Sequence, residues 1–282
     1  MDGQPRNLAP DPLPGGLADG GALARDYAFR PLDGALELAL SNVASQARHT
    51  PQAVTAMLAS ALASLAGGEP SPDRVAALCV ADRQWLMREL ERILGTQQRW
   101  LSATCDVCRS RFDLQIDPAA LPIKPAGSGF PQARVTWDGH EYLLRVPCGL
   151  DQAWLAETQD AGVDAARALA ARLVQSVDGA LTQDFDAMQL PDDWFVAVDQ
   201  VLDDMAPAMA TKALAACPEC GQANTVALEP YGVLARSDTE LLDDVHCLAS
   251  HYHWSEREIL ALPRARRHDY LRRIDAARGL AQ

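Results

Sequence analysis

Apolar residues recur at intervals of three and four positions over much of the chain, which is the pattern of helices with one buried face. Gly67, Gly68 and Gly95 stand where such helices would end. The predicted helices cover Ala35–Gln46, Gln52–Leu65, Ser71–Leu94, Asp151–Ala180, Pro191 to about Met209, and Asp238 onward. The chain is therefore predicted to be mainly helical.

Short runs between these helices alternate apolar and polar residues, as half-buried strands do. They are Arg99–Thr104, Arg111–Ile116, Ala133–Trp137, Glu141–Val146, Lys212–Ala216 and Thr225–Leu228. Asp138-Gly139, between the third and fourth runs, is typical of a tight hairpin turn. Pro118 to Pro131 is rich in Pro and Gly and is predicted to be a loop. The fold class that follows is α+β, mainly helical, with small β-hairpins.

Two Cys-x-x-Cys turns lie at the tips of predicted hairpins, Cys105–Cys108 and Cys217–Cys220. Each turn can aim two thiolates at one point, and two turns complete a tetrahedron of sulfur ligands. The beginning of the sequence has no apolar stretch typical of an export signal, so we expect a reducing compartment, where paired thiols favour metal over disulfide. We predict that the four cysteines hold one structural Zn²⁺ with no position open for catalysis.

The separation of the two turns leaves other interpretations open. It exceeds the spacing of about 15 to 20 residues that is usual in local zinc motifs, so the site needs tertiary closure. Redox dithiols, disulfides and two independent half-sites are the alternatives. Gly221 follows the second turn, where a left-handed backbone is needed, whereas the first turn has Arg109 at that position.

The other candidates for chemistry favour simple structural roles. Cys79, Cys148 and Cys247 are predicted to be buried and inert, and His246, His251 and His253 to be core or surface residues. The sequence contains no Gly-rich phosphate loop, no Gly-x-Ser-x-Gly elbow and no His-Glu-x-x-His motif. We predict a protein that is not an enzyme, with no catalytic residues, no cofactor besides zinc and no small-molecule substrate.

Charge is unevenly distributed along the chain. The formal net charge is −13, which disfavours a general attraction to nucleic acid, and no run of about 18 apolar residues would cross a membrane. Residues 255–282 carry seven Arg against four acids. Together these patterns predict four parts: a flexible leader over 1–26, an N-terminal helical region over 27–98, a split zinc-ribbon domain with β-hairpin and helical insert over 99–236, and a basic C-terminal helical hairpin over 237–282.

The C-terminal part contains a capping box, Ser255 to Glu258, directly after Trp254. One interpretation is a solvated hairpin packed on its own body. The other is a docking element with an aromatic anchor and a basic face. In the second interpretation, the partner-binding residues are Trp254, Arg264, Arg266, Arg267 and Tyr270.

The segments Leu242–His246 and His251–Pro263, followed by Arg266-Arg267, resemble part of the T-even-type phage baseplate hub family. Three further features are similar in members from phages and phage-derived contractile injection systems: Phe29–Gly34, the two cysteine turns, and Leu144–Pro147 before a helix. The resemblance covers most of the chain after the leader, and the four features occur in the same order.

This resemblance implies a structural or assembly component of the baseplate or hub of a contractile tail. Its partners would be other baseplate, hub, spike or sheath proteins, with no nucleic acid bound and no membrane insertion. It would reside in the cytoplasm during assembly and then in the tail or injection particle. The alternatives are a nucleic-acid-binding zinc-ribbon protein and a transient tail-assembly chaperone absent from the finished particle.

Overall fold

A computed structural model describes residues 11–19, 21–95, 99–158, 164–182, 185–187, 189–235 and 238–279. Over these residues, helices alternate with small antiparallel sheets, so the predicted α+β class is confirmed. None of the helices in the described part of the chain is long and apolar enough to cross a membrane.

The N-terminal segment packs on the body of the protein. It contains the antiparallel strands β1 (Leu17–Asp19) and β2 (Ala22–Ala24). Leu13 is fully buried in the largest core, and the N–H groups of Gly15 and Gly16 donate to the Asp82 carboxylate at 2.7 and 2.8 Å. The predicted flexible leader is therefore wrong for 11–19 and 21–26, because these contacts hold it. Residues 1–10 and 20 lie outside the described residues.

The N-terminal helical region is more divided than its apolar periodicity predicts. Its elements are β3 (Tyr27–Phe29), α1 (Gly34–Gln46), α2 (Thr50–Ala61), β4 (Leu62–Leu65), α3 (Pro72–Ala76) and α4 (Val80–Ile93). The predicted helix 52–65 ends at Ala61, because the next four residues pair with β3. The predicted helix 71–94 breaks before Cys79, where the carbonyl of Leu78 accepts from the N–H of Gly149 at 3.1 Å.

The largest apolar core lies between α2 and α4. Val54, Leu58 and Leu86 are fully buried there. Tyr27 joins this core and accepts a hydrogen bond from the indole N–H of Trp85 at 3.0 Å. Burial raises the pKa of Tyr27 to about 12, so its hydroxyl stays protonated and its polar tip is satisfied inside the core.

The insert between the two cysteine turns is a sheet covered by helices. Its strands are β8 (Gln132–Trp137), β9 (His140–Arg145), β10 (Val174–Val177) and β11 (Ala180–Leu181), in the order β11-β10-β9-β8. Its helices are α5 (Gly149–Thr158), α6 (Ala165–Leu173) and α7 (Asp192–Met205). The predicted hairpin at Asp138-Gly139 is confirmed. The single predicted helix 151–180 is wrong, because residues 174–177 join the sheet beside β9.

Two short strands join the ends of this insert. β7 (Ile123–Lys124) pairs with β12 (Ala208–Met209). The predicted loop over residues 118–131 therefore contains one strand as well as a single 3-10 turn, Pro118–Ala120. Because β7 and β12 are paired, the chain enters and leaves the insert at one place.

A buried carboxylate fixes the sheet of the insert to its helices. Asp151, at 1% exposure, accepts from the Arg145 guanidinium at 2.5 and 2.7 Å and from Arg172 Nε at 2.9 Å. The backbone N–H of Cys148 donates to the same carboxylate at 2.9 Å. Burial alone would raise the pKa of Asp151, but the hydrogen bonds from these donors outweigh this effect and lower the pKa to about 2. The carboxylate is therefore ionised, and it joins β9, α5 and α6.

The C-terminal part consists of three helices, α8 (Thr239–Tyr252), α9 (Glu256–Leu260) and α10 (Arg264–Ala277). The predicted capping box at Ser255 and Glu258 is confirmed. Glu37 on α1, itself mostly buried, contacts Arg264 at 2.6 Å and Arg267 at 2.5 Å. This pair of contacts attaches the C-terminal helices to the N-terminal region.

Candidate metal centre

Each cysteine turn is the tip of an antiparallel hairpin. The first hairpin is β5 (Arg99–Thr104) with β6 (Arg111–Ile116), and the second is β13 (Lys212–Ala216) with β14 (Ala223–Ala227). The predicted strands are thus confirmed, although β14 begins two residues earlier than expected. Alternating side chains of each hairpin are shielded from solvent, and Phe112 packs in one small cluster with Cys105 and Cys217.

The two turns have the same backbone hydrogen bonds. In the first, Cys105 donates its N–H to the carbonyl of Ser110 at 2.9 Å and accepts from Arg109 at 3.1 Å. In the second, Cys217 donates to Gln222 at 2.8 Å and accepts from Gly221 at 2.9 Å. Arg109 has φ 62° and Gly221 has φ 75°. The left-handed position predicted after each turn is therefore present, with Arg109 where glycine is favoured.

The four thiol groups form one cluster. Their sulfur atoms all lie within 4.8 Å of one another, and two contacts join different turns: Cys105 to Cys220 at 3.7 Å and Cys108 to Cys217 at 3.6 Å. Tetrahedral ligands about 2.3 Å from a metal ion would stand about 3.8 Å apart. These positions are 115 and 109 residues apart in the chain. The predicted tertiary closure is confirmed, and the ligand set suits a metal ion.

Burial differs within each pair of cysteines. Cys105 and Cys217, the first of each pair, are buried, whereas Cys108 and Cys220 are exposed. None of the four is in a disulfide, and the two sulfur separations of 3.6 and 3.7 Å are much longer than the disulfide bond of about 2.05 Å. One side of the cluster therefore faces the small apolar cluster around Phe112, and the other faces solvent.

Asn224 joins the two turns through its side-chain amide. Its side chain is 4% exposed; the Oδ1 atom accepts from the N–H of Asp106 at 3.0 Å, and Nδ2 donates to the carbonyl of Gln222 at 2.8 Å. The sequence motifs do not identify this residue. The available signal was a polar side chain at an inward position of a short alternating strand.

Local donors shift the protonation of the thiols in different directions. The Ser110 hydroxyl and backbone N–H lower the pKa of Cys108 to about 6, and the backbone N–H of Cys108 lowers the pKa of Cys105. The N–H of Gln222 lowers the pKa of Cys220, but the neighbouring Cys108 thiol and burial raise it more, to about 12. The cluster therefore carries partial thiolate character, and a bound cation would displace the remaining protons.

An all-sulfur ligand set fixes what this centre can do chemically. Four thiolates complete a tetrahedral shell and leave no position for water or substrate, so a metal here would stabilise the fold. Within the described residues, this is the one group of three or more Cys, His, Asp or Glu side chains with the geometry to bind a metal ion.

The other three cysteines differ in burial, although all three were predicted to be buried. Cys79 is buried as expected and directly precedes α4. Cys148 and Cys247 are only half-buried, because Cys148 follows β9 at the start of α5 and Cys247 lies near the edge of the C-terminal cluster. Burial raises the pKa values of Cys79 and Cys148, which keeps both as neutral thiols.

The residues predicted to bind partners fall into two groups. Trp254 and Tyr270 are half-buried and pack with Tyr252, with ring centroids 4.8 to 5.6 Å apart, while Arg266 is exposed. Arg264 is mostly buried and Arg267 is fully buried, both against Glu37. The structure thus gives both arginines an internal partner, the Glu37 carboxylate, where the sequence predicts an external one.

Histidines near the C-terminus do not converge on one point. His246, His251 and His253 are all exposed. His251 packs edge-on against Tyr252 at 4.8 Å, and His253 has φ 58° where it ends α8. These contacts give His251 and His253 structural roles.

Comparison with known proteins found no relative of this chain. No protein-family model, no curated protein and no solved structure matches the chain.

Proposed function

We propose that this protein is a non-enzymatic structural or assembly component of the baseplate or hub of a contractile phage tail or phage-derived injection system. The observation that carries the proposal is the closed four-cysteine centre, which joins hairpins far apart in sequence and has no position for a substrate. The resemblance of the segments around Phe29–Gly34, Leu144–Pro147 and His251–Pro263 supplies the assignment to contractile tails.

Zinc is the metal that this ligand set favours. Soft thiolate ligands in a tetrahedron select Zn²⁺ over magnesium and calcium, which prefer oxygen. In this proposal the two hairpins form a split zinc ribbon. Binding of structural zinc contributes about 10 kcal/mol or more in isolated peptides, so the metal would hold the platform to which other subunits bind.

Exposed apolar side chains on the hairpins support a protein partner. Trp100 is 67% exposed on β5, Val107 is 66% exposed in the first cysteine turn, and Leu214 is 81% exposed on β13. Aromatic and aliphatic residues at such positions are typical of protein interfaces. We expect them to contact neighbouring tail subunits when the protein is assembled.

Purification from cells that express the whole neighbouring gene cluster tests this proposal. The tagged chain should recover sheath, spike or baseplate proteins and contain one zinc per chain by elemental analysis. A variant carrying Cys105→Ser and Cys217→Ser should lose zinc and these partners together, whereas Cys247→Ser should keep both. Recovery of no tail protein by a zinc-loaded chain would rule out the tail assignment.

A nucleic-acid-binding zinc ribbon is the second candidate, motivated by the cysteine turns and the Arg-rich end. The net charge of −13 and the pairing of Arg264 and Arg267 with Glu37 weigh against it. A salt-sensitive mobility shift of DNA or RNA by the zinc-loaded protein would favour this candidate over the scaffold.

A transient assembly chaperone would share the partners but not the final particle. Mass spectrometry of purified particles distinguishes the two roles. A resident subunit should appear in a fixed ratio to the sheath protein, whereas a chaperone should be present only in assembly intermediates.

A further inference from the structure

Helices α6 and α7 leave an open groove of about 580 Å³ on the insert. The lining is almost entirely apolar and includes Leu169, Leu173, Phe195, Val196 and Leu202. Val196 is 66% exposed at its edge. Leu169, Leu173, Phe195 and Leu202 also pack in the core of the insert, around the fully buried Trp194. The groove therefore opens onto the edge of that core and leaves apolar surface accessible there, which is typical of a binding site.

The charges beside the groove are negative. Every charged residue of α7 is acidic: Asp192, Asp193, Asp199, Asp203 and Asp204. Two of them, Asp199 and Asp203, line the groove itself. The Lys124 ammonium contacts the backbone carbonyl of Asp203 and offsets part of the charge there. Asp199 is thus the principal negative charge at the rim.

The arginines of α6 are engaged within the insert. Arg167 contacts Asp192 and, at 3.3 Å, Asp164, and its guanidinium lies over the ring of Phe195 at 4.2 Å. Arg172 contacts the buried Asp151 at 2.9 Å. Both cations are thus already paired with carboxylates of the insert, so the groove combines an apolar floor with an acidic rim.

We propose that this groove binds an amphipathic helix of another protein, whose apolar face is flanked by Lys or Arg residues. A helix laid between two helices buries residues at i, i+3, i+4 and i+7 in such a groove, and basic flanks match the acidic rim. The most basic helix of this chain, α10, does not suit the role in a second copy, because Leu271 and Ile274 already pack in its own C-terminal cluster.

The inference rests on the proposed function in one respect, since the helix would belong to another tail protein. The binding of a basic amphipathic helix is a property of this groove alone. A binding measurement with purified components therefore separates the two: the groove can fail while tail proteins are still recovered, and tail recovery can fail while the groove binds its helix.

The test uses the full zinc-loaded chain and a fluorescein-labelled designed peptide of about 18 residues, five helical turns. The peptide carries Leu at i, i+3, i+4 and i+7 with flanking Lys, and a matched peptide carries Glu in place of each Lys. Fluorescence anisotropy should show tighter binding of the basic peptide, with a preference that weakens as salt is raised.

Three variants locate the site. Val196→Glu should weaken binding of the basic peptide by about tenfold or more, since it places a charge in the apolar contact. Asp199→Lys should reduce or reverse the preference between the two peptides. Leu242→Glu, at an exposed apolar residue of α8, is the control and should change nothing. Equal binding of both peptides, or binding that Val196→Glu leaves unchanged, would overturn the proposal, as would self-association of the chain through this groove.

Discussion

At the scale of single residues, the cysteine turns show how one backbone position limits a metal site. Arg109 and Gly221 hold equivalent positions with φ of 62° and 75°, because each donates its N–H to the first cysteine of its turn. A residue with a Cβ atom pays about 1–2 kcal/mol in this conformation, and glycine does not. The first turn is thus held in place by its surroundings more than by its own sequence.

Replacing Arg109 with glycine should therefore stabilise the zinc-loaded protein by about 1 kcal/mol. This gain is reduced by the conformational entropy that glycine adds to the unfolded chain. Gly221→Ala is the matched opposite and should destabilise by a similar amount. Urea unfolding of both variants at equal zinc loading measures the two effects. A lower midpoint for Arg109→Gly would show that the arginine side chain contributes more than its backbone strain costs.

Asp151 is the second residue with a large local effect, because it joins β9 to α5 and α6. Breaking a buried charge network by removing one partner costs about 3–5 kcal/mol; Arg145 and Arg172 are partly solvated, so we expect about 2–3 kcal/mol for Asp151→Asn. Its pKa is lowered to about 2. The stabilisation is therefore fully present above the unfolded-state pKa of about 3.9 and is lost as the pH falls toward 2.

The free energy of unfolding, measured from pH 7 down to pH 3, tests whether the stabilisation by Asp151 is lost in acid. The difference between the original protein and Asp151→Asn should be largest at neutral pH and should shrink in acid. Asp178→Asn, which removes an exposed partner of His140, serves as control and should have a much smaller effect. A difference that grows in acid would contradict the assignment of an ionised Asp151.

At the scale of elements, the attachment of the C-terminal helices depends on Glu37. Arg267 is fully buried against this carboxylate, whereas its neighbour Arg266 is exposed on the same helix. Arg267→Ala leaves Glu37 buried with one partner fewer, and we expect a loss of about 3 kcal/mol. Hydrogen exchange should rise across α8 to α10. Arg266→Ala should leave exchange unchanged, and equal effects of the two substitutions would contradict the proposed attachment.

The elements also show which features local sequence can predict. The capping box at Ser255, the hairpin at Asp138-Gly139 and the strands beside the cysteines depend on neighbouring residues, and all three were predicted. Leu62–Leu65 continues the apolar period of a helix and forms a strand because Tyr27–Phe29 lies beside it. The contact of Glu37 with Arg267 spans 230 positions. Such contacts depend on the assembled fold, so periodicity could not reveal them.

The candidate metal centre likewise combines features set by neighbouring residues with contacts that exist only in the assembled fold. Two Cys-x-x-Cys turns were sufficient to identify all four cysteines of the cluster, because the geometry of each turn is local. Asn224, which connects the turns, was not predicted, since its role exists only when the hairpins meet. The pairing of Arg264 and Arg267 with Glu37 was not predicted either, because an arginine that pairs internally looks identical in sequence to one that faces solvent.

At the scale of the whole molecule, the cores differ in how much they depend on the metal. The largest core between α2 and α4 and the core of the insert around Trp194 contain many buried side chains, whereas the cluster around Phe112 contains three buried residues, two of them cysteines of the candidate metal centre. The hairpins therefore have little apolar burial of their own, and two-stranded sheets are marginal in isolation.

Removal of the metal should consequently unfold the molecule unevenly. With a chelator in excess, we expect hydrogen exchange to rise strongly in 99–116 and 212–227 and weakly in α2, α4 and α7. Addition of zinc should restore protection with one ion per chain, and Cys105→Ser should reproduce the chelated state in the presence of zinc. Uniform exchange across the chain after chelation would mean that the cores fold only with the metal, and unchanged exchange in the hairpins would mean that the four thiols do not hold a structural ion.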